Sequence, residues 1–380
     1  MVNDMRTYYL SACLMFGAAC GDKATDTPTT YALTTQSIAE LQAITTDTGT
    51  LICTADGYSA CPLNQPVANR LSDGRILLWQ PGGTVMLVTS GDSGFVLIGS
   101  DSTERPYLSV VAATTSGRDR IRMIDFAGVW RSLTVSLDGS LQSADTLAEP
   151  GVLTSIGFLG DRVIRQRLVG WDSDSGGRMR VALLRDLRDT VGNTFLDAPV
   201  HWLRGGIGGQ PPLPPMLAAH PVWALIGDDD VIWSPGDRLM IERRSRSGKV
   251  RWRIDGNIVT PVTEHDLDLL EAKARESMSG LPLIDEDFAS MRSRSDTLFP
   301  PVTGITVSPE GVALVALATP PSADSVTLVR INSEGRPVGR LVLPSDTRVL
   351  VAVGDSLMVH QQHGETELRE VRWLRLSTAE

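Results

Sequence analysis

Histidine and cysteine are scarce in this chain, whose 380 residues include five histidines and four cysteines. The histidines are His201, His220, His265, His360 and His363. His360 and His363 fall in a predicted strand, where residues three apart point to opposite faces and do not share a metal ion. His201 and His220 flank a proline-rich stretch and could line one pocket, with ordinary loop packing as the alternative. The sequence therefore predicts no metal site.

Several local catalytic and cofactor motifs are also absent. There is no Gly-x-Ser-x-Gly nucleophile turn, so serine hydrolysis has no support. The acidic groups lack the calcium-loop spacing that ends in glutamate; they are Asp172 with Asp174, Asp228–Asp230 and Asp285–Asp287. The glycines of 204–215 lack the lysine and hydroxyl residue of a phosphate loop, which favours an exposed loop, with a polyproline recognition motif as the alternative. We predict no cofactor, and the catalytic residues, if there are any, are unknown.

No segment concentrates positive charge. The 35 lysines and arginines are scattered among 45 acidic residues, for a net charge of -10. Nucleic acid is therefore excluded as a partner, since neutralising phosphates requires a basic face. A hydrophobic content of 42% is sufficient for a large core.

Long apolar runs are missing except near the start of the chain. Arg6 precedes the run Tyr8–Ala19, which is long enough for an export signal and too short for a stable membrane-spanning helix. We therefore expect residues 1–20 to act as a signal peptide.

The end of this run, Gly17-Ala18-Ala19-Cys20, resembles the lipobox of bacterial lipoproteins. The resemblance implies that Cys20 is lipidated and becomes the first residue of the mature chain. Residues 21–35, rich in threonine and aspartate, then form a flexible tether of the kind that a lipid anchor requires. The alternative is ordinary cleavage near Ala19 with Cys20 unmodified.

Cys13 is removed with the signal peptide and Cys20 is the expected lipidation site, so Cys53 and Cys61 are the two remaining cysteines. They lie on either side of a turn that contains Gly57. In an oxidising compartment these two cysteines favour a local disulfide. Two unpaired thiols are the alternative. A metal site would need further ligands that are not nearby.

Short apolar runs separated by turn residues recur from Val67 to Leu376. The clearest set lies between Pro301 and Pro344, where turns at 308–311 and 332–335 separate short apolar runs. Six sets of about 40 residues suit the blades of an all-β propeller, which occupies residues 36–380. The sixth set lacks one strand, and we expect Ile38–Ile44 to supply it. Two β-sandwiches or a β-helix are the alternative folds.

The turns that carry this repeat resemble those of six-bladed propellers related to NHL repeats. They are Ser72-Asp73-Gly74, Asp138-Gly139, Pro309-Glu310-Gly311 and Ser333-Glu334-Gly335. The resemblance implies a six-bladed ring from Val67 to Leu376, and it implies no particular activity.

One helical insertion interrupts the strands. Residues 263–280 have Thr263 as an N-cap and acidic residues in the first turns. A stripe of Leu267, Leu270, Ala274 and Met278 follows at helical spacing. The stripe predicts a helix packed on one propeller face, with docking of a partner as the alternative.

These features lead to a functional expectation. We expect a lipid-anchored propeller at the bacterial cell envelope, facing the periplasm or the cell surface, that binds a protein or an extracellular ligand on a loop-rich face. A membrane contact is expected through the lipid anchor only. The alternative is a metal-dependent propeller enzyme, similar to a lactonase or a lyase, with acidic residues in the central channel.

Overall fold

The structure is a computed structural model. It describes residues 28–47, 49–55, 66–71, 73–80, 85–88, 95–98, 107, 109–116, 119–147, 154–159, 162–172, 176–189, 192–200, 213–226, 230–245, 247–278, 283–363 and 368–378.

Strands dominate the described residues, as the alternating apolar pattern predicts. The N-terminal strands and the first three groups are β1 Thr29–Thr34, β2 Ala43–Thr46, β3 Thr50–Ala55, β4 Val67–Arg70, β5 Ile76–Trp79, β6 Val85–Val88, β7 Phe95–Leu97, β8 Val110–Thr115, β9 Arg120–Phe126, β10 Trp130–Ser136, β11 Leu141–Thr146, β12 Thr154–Leu159, β13 Arg162–Asp172, β14 Gly176–Leu184 and β15 Asn193–Val200. The remaining strands are β16 Val222–Ile226, β17 Asp230–Ser234, β18 Met240–Ser245, β19 Val250–Asn257, β20 Val302–Val307, β21 Ala313–Leu317, β22 Ser325–Ile331, β23 Pro337–Pro344, β24 Thr347–Val353, β25 Ser356–His363 and β26 Leu368–Thr378. The helices are α1 Thr35–Glu40, α2 Glu264–Ser277 and α3 Asp285–Ser293.

Antiparallel meanders are the repeated unit of the fold. Strands β4–β7, β8–β11 and β12–β15 form three four-stranded sheets, and β16–β19 form a fourth sheet that β1 extends in parallel. The fifth sheet has nine strands: β20–β23 connect through β2 to β26, β25 and β24, and β3 also pairs with β26. Each group therefore buries its faces only by stacking against its neighbours.

The sheets stand in a propeller arrangement. First strands contact one another, β8 with β12, β12 with β4, β16 with β20, β20 with β24, and β24 with β4. Buried apolar clusters fill the spaces between neighbouring groups. The closing cluster packs Ile76 and Leu78 of β5 against Met358 of β25 and Val371 of β26. The first and last groups are therefore neighbours, and the arrangement closes on itself.

Two ends of the sheets differ in their connections. One end carries the turns between the first and second strands and between the third and fourth strands of the meanders, including residues 308–312, 332–336 and 354–355, and we call it the hairpin face. Gly311 has φ of 81° there, a conformation that favours glycine. The other end carries long links between sheets, including residues 258–301 with α2 and α3, and we call it the connection face.

The N-terminal segment closes the arrangement, although not with the predicted residues. Ile38–Ile44 is wrong as the closing strand because Ile38 lies in α1, and only Ile44 at its end pairs with β26. The pairing segment is instead β2 with β3, which together run antiparallel to β26. Between them Gly49 has φ of 65°, and a Cβ there would lie 1.5 Å from the carbonyl oxygen of Trp373. Glycine is therefore required at this close approach.

Two further elements do not follow the sequence-based expectation. Strand β15 completes the third sheet by pairing with β14, whereas only three strands are evident there from the apolar pattern. Helix α3 begins at Asp285, so Asp285–Asp287 occupy its first turn. Carboxylates at that position interact favourably with the helix dipole, and this accounts for the acidic group without calcium.

Helix α2 lies where the sequence predicts a helix. Thr263 is its N-cap, the Thr263 hydroxyl accepts a hydrogen bond from the backbone N–H of Asp266, and Asp266 accepts one from the backbone N–H of Thr263 at 3.0 Å. The helix ends at Ser277 with Met278 as its C-cap, and Gly280 lies outside the described residues. The side chains of its apolar stripe are half-buried. No helix in the described part of the chain is long and apolar enough to cross a membrane.

We expect Thr263→Ala to lower the free energy of unfolding by about 1 kcal/mol, the usual cost of losing an N-cap. Hydrogen bonds from the Thr263 hydroxyl and backbone hold the pKa of Asp266 below its ordinary value of 3.8. A lowered folded-state pKa stabilises the protein above pH 3.8, and that contribution is lost as the pH falls through the folded-state value. Urea unfolding at neutral pH and at acid pH measures both effects.

The matched control for this cap is Thr297→Ala, which changes an exposed threonine in the same connection. We expect this control to leave the free energy of unfolding within about 0.5 kcal/mol of the parent protein. Equal losses in the two variants would contradict the capping role of Thr263.

Candidate ligand cavity at the axis of the sheets

An open cavity of about 480 Å³ lies where the first strands of several sheets converge. Residues of β4, β12, β16, β20 and β24 line it, so it occupies the centre of the propeller arrangement. Its apolar lining includes Leu71, Leu159, Leu225, Ile305, Val307 and Leu350. The volume lies within the range of about 300–1,000 Å³ that is usual for small-molecule sites.

Two arginines supply the charge of this lining. Arg70 is the last residue of β4, and Arg162 is the first residue of β13. Among the described lining residues there is no aspartate, glutamate or histidine. The charged groups that line the cavity are therefore cationic, which attracts an anion and repels a divalent metal ion.

The Arg70 side chain has a buried nitrogen that no described group satisfies. Its Nε is buried and has no hydrogen-bond partner within the described residues. Next to it, Asn69 is buried and donates from its side-chain nitrogen to the carbonyl oxygen of Ala113 at 3.1 Å, which ties β4 to β8. A buried guanidinium nitrogen without an acceptor is costly, so an acceptor from a ligand would be favourable here.

Acidic residues also lie on the hairpin face, and most of those described have local partners. Asp73 forms an ion pair with Arg75 at 2.7 Å, and Asp355 forms one with Arg330 at 2.9 Å. A hydrogen bond from the Ser308 hydroxyl is the main cause that holds the pKa of Glu310 below its ordinary value, and the charge of Arg70 contributes to the same shift. Asp73 and Asp355 therefore each have a cationic partner close by, so neither is available to neutralise the arginines of the cavity.

Histidines do not assemble into a site in the described residues. His360 is buried in β25, and His220 and His265 are exposed. His363 ends β25, and His201 lies outside the described residues. No group of three or more histidine, cysteine, aspartate or glutamate side chains is arranged to hold a metal ion in the part of the chain that the structure describes.

The remaining acidic candidates have structural roles where they can be seen. Asp230 is buried in β17 and accepts a hydrogen bond from Nε of Arg243 at 2.8 Å. Asp172 ends β13, and Asp174, Asp228 and Asp229 lie outside the described residues. Of the described members of these acidic groups, Asp172 and Asp230 lie in two different sheets and Asp285–Asp287 lie in α3.

Two cysteine predictions fall outside the described residues. Cys20, the predicted lipidation site, and Cys61, the predicted disulfide partner, both lie there. Cys53 is buried in β3, within the cluster that closes the arrangement. The disulfide between Cys53 and Cys61 stays a prediction.

Sequence reasoning missed the two arginines of the cavity. Arg70 stands directly before the turn at 71–75, and Arg162 stands directly after the turn between β12 and β13. An arginine beside the turn of a first strand is the signal that could have identified them, because such turns surround the axis of a propeller.

Comparison with known proteins shows the fold alone. No family model and no curated protein matches the chain. A solved member of the DUF4221 family from Bacteroides vulgatus has a TM-score of 0.50 at 7% identity, with 89% of this chain and 100% of that chain covered. A Bacteroides fragilis protein assigned as exported has a TM-score of 0.48 at 11% identity, with coverage of 93% and 100%. The WD40 β-propeller domain of Doa1 has a TM-score of 0.39 at 13% identity, with coverage of 88% and 98%.

Proposed function

We propose that this protein is an exported, lipid-anchored, six-bladed β-propeller of the bacterial cell envelope that acts as a binding scaffold. The blade count treats the nine-stranded sheet as two four-stranded blades joined by β2. The last blade then combines three strands from the end of the chain with β3 from its beginning. A ring closed in this way leaves no long sheet edge exposed and makes a rigid base for a binding site.

The observation that carries the binding role is the axial cavity. Its described lining combines apolar side chains with Arg70 and Arg162, and it contains no carboxylate or imidazole. Apolar walls with a few convergent polar groups are typical of ligand sites. A metal-dependent enzyme would need oxygen or nitrogen ligands at this position instead, so the described lining favours binding over metal chemistry.

Metal analysis of the purified protein tests this choice. We expect substoichiometric divalent metal after purification without a chelator. A stoichiometric divalent ion that remains bound through gel filtration would overturn the binding-scaffold proposal in favour of the metal-dependent enzyme.

Lipidation of Cys20 is the proposed means of attachment. We expect Cys20→Ser to move the protein from the membrane fraction to the soluble fraction of the producing bacterium, because the thiol that accepts the lipid is lost. Cell fractionation followed by immunoblotting measures the distribution. Cys13→Ser is the matched control, since Cys13 lies inside the predicted signal, and this variant should stay with the membrane. Retention of Cys20→Ser in the membrane fraction would refute the anchor.

The course of β1 favours one orientation of the anchored protein. Strand β1 runs parallel to β19, with Thr29 opposite Trp252 and Thr34 opposite Asn257. Strand β19 begins at the hairpin face, and β1, which is parallel to it, therefore begins at that face as well. The chain between Cys20 and Pro28 reaches about 3.3–3.6 Å per residue at most. This tether would keep the hairpin face near the membrane and direct the connection face, which is rich in loops, toward a protein partner.

A further inference from the structure

Within the proposed binding function, we infer that the axial cavity takes a small organic anion with an apolar body, whose anionic group is held by Arg70. The cavity provides both parts of this chemistry: a guanidinium at the end of β4 and walls of leucine, isoleucine and valine. Alkyl carboxylates are the simplest molecules of this class.

The guanidinium of Arg70 is suited to an incoming anion. No described carboxylate forms an ion pair with it within 4 Å, although Glu310 is close enough for the two charges to interact. By contrast, Arg75 and Arg330 on the same face pair with Asp73 and Asp355. An arginine with a buried Nε and no fixed counter-ion gains more from a bidentate anion than an arginine that is already paired.

The position of the arginines sets the orientation of the ligand. Arg70 and Arg162 lie beside hairpin turns, as Ser308 and Pro309 do, whereas Ala68 and Ile305 lie earlier in their strands. The anionic group would therefore bind near the hairpin face, with the apolar body extending along the axis. Each CH₂ group that the cavity buries contributes about 0.8 kcal/mol to the free energy of binding, which is an ~4-fold gain in affinity.

Isothermal titration calorimetry with three probes tests this inference on the full mature chain. Octanoate carries both the charge and the apolar body, octan-1-ol lacks the charge, and acetate lacks the body. We expect octanoate to bind most tightly and to lose about tenfold or more in affinity in Arg70→Met. Arg70→Lys should lose less, because it keeps the charge and loses the planar fork.

The matched control is Arg375→Met, which removes an exposed arginine of β26 away from the cavity. It should bind octanoate as the parent protein does. If Arg70→Met does not fold, the salt dependence of the parent protein replaces it: added salt should weaken octanoate and leave octan-1-ol unchanged.

The outcomes separate this inference from the function on which it rests. Equal affinity for octan-1-ol and octanoate, or full octanoate binding by folded Arg70→Met, would overturn the anion specificity and leave the ligand-binding cavity standing. Absence of binding by every probe would overturn the inference. Together with a stoichiometric divalent metal ion, that absence would overturn the proposed function as well.

Discussion

Deleting residues 28–55 is expected to abolish the cooperative unfolding transition of the protein. The deletion removes β2 and β3, so β26 loses the strand that pairs with it from Arg369 to Thr378. It also removes Ile44 and Ile52, which are 7% and 5% exposed and belong to two of the clusters between sheets. Each such buried aliphatic side chain contributes about 2–5 kcal/mol, against a total stability of about 5–15 kcal/mol for a typical domain.

The control for this deletion removes only residues 28–41. It takes away β1 and α1, with the buried side chains of Leu33 and Ile38, and leaves β2 and β3 in place to close the arrangement. We expect this shorter deletion to lower the melting temperature and to retain one cooperative transition. Circular dichroism and calorimetry measure both variants. A cooperative transition in the longer deletion, at the temperature of the shorter one, would show that closure by the chain ends is not needed.

The strand groups of the C-terminal half could be predicted from the sequence because their turns are explicit. Strand β20, Val302–Val307, ends directly before the turn predicted at 308–311, and Gly311 and Gly335 of the two predicted turns have φ of 81° and 89°. Glycine at a positive φ after a polar residue specifies the hairpin locally. Local turn chemistry therefore identified the repeated unit without any knowledge of its neighbours.

The closing strand could not be placed in the same way. Ile38 has the apolar character of a strand residue, yet the side chains of Thr34 and Ser37 accept from each other's backbone N–H and begin a helix there. Leu51 and Cys53 have equal strand character, and they pair with β26 because Gly49 lets the chain approach Trp373. The choice between these two segments depends on contacts more than 300 residues apart in the chain, which no local pattern encodes.

Strand β15 was missed for a different reason. It contains Asp197 and Pro199, which weaken the apolar alternation of an outer strand. In the structure Asp197 forms ion pairs with two residues of the neighbouring strand β14, Arg178 at 2.6 Å and Arg180 at 3.0 Å. Charged residues and proline are common on edge strands, where they limit pairing with other chains. The strand is therefore polar because of its place in the sheet.

The set of residues that lines the cavity could not be assembled from one sequence, although an arginine beside a first-strand turn could have pointed to two of them. Arg70 and Leu225 are far apart in the chain, and they line one space only after β4 and β16 converge on the axis. Which residue of a first strand faces that axis depends on the tilt and register of the whole sheet. Propeller sites therefore leave no local motif in the sequence. The absence of catalytic motifs says little about such a site, whereas the small number of histidines limits directly how many imidazoles a site can contain.

The second large effect is expected at Asp125, which is fully buried in β9. Its carboxylate accepts a hydrogen bond from the backbone N–H of Ser109 at 2.6 Å and pairs with Arg131 of β10. Asp125→Ala leaves the part-buried guanidinium of Arg131 and the backbone N–H of Ser109 without this fully buried acceptor. We expect a loss of about 3–5 kcal/mol in the free energy of unfolding, measured by urea denaturation, because breaking a buried ion pair from one side is strongly destabilising.

An exposed aspartate provides the comparison that isolates burial as the cause. Asp197→Ala also removes a carboxylate that pairs with arginines, Arg178 and Arg180, but those side chains remain accessible to water. Water replaces the lost partner, so we expect a loss of at most about 1 kcal/mol. Equal losses at the two positions would mean that the charge itself matters rather than its burial. A difference of several kcal/mol would show that burial makes the Asp125 carboxylate, which links β9 to Arg131 of β10 and to Ser109 before β8, far more costly to lose.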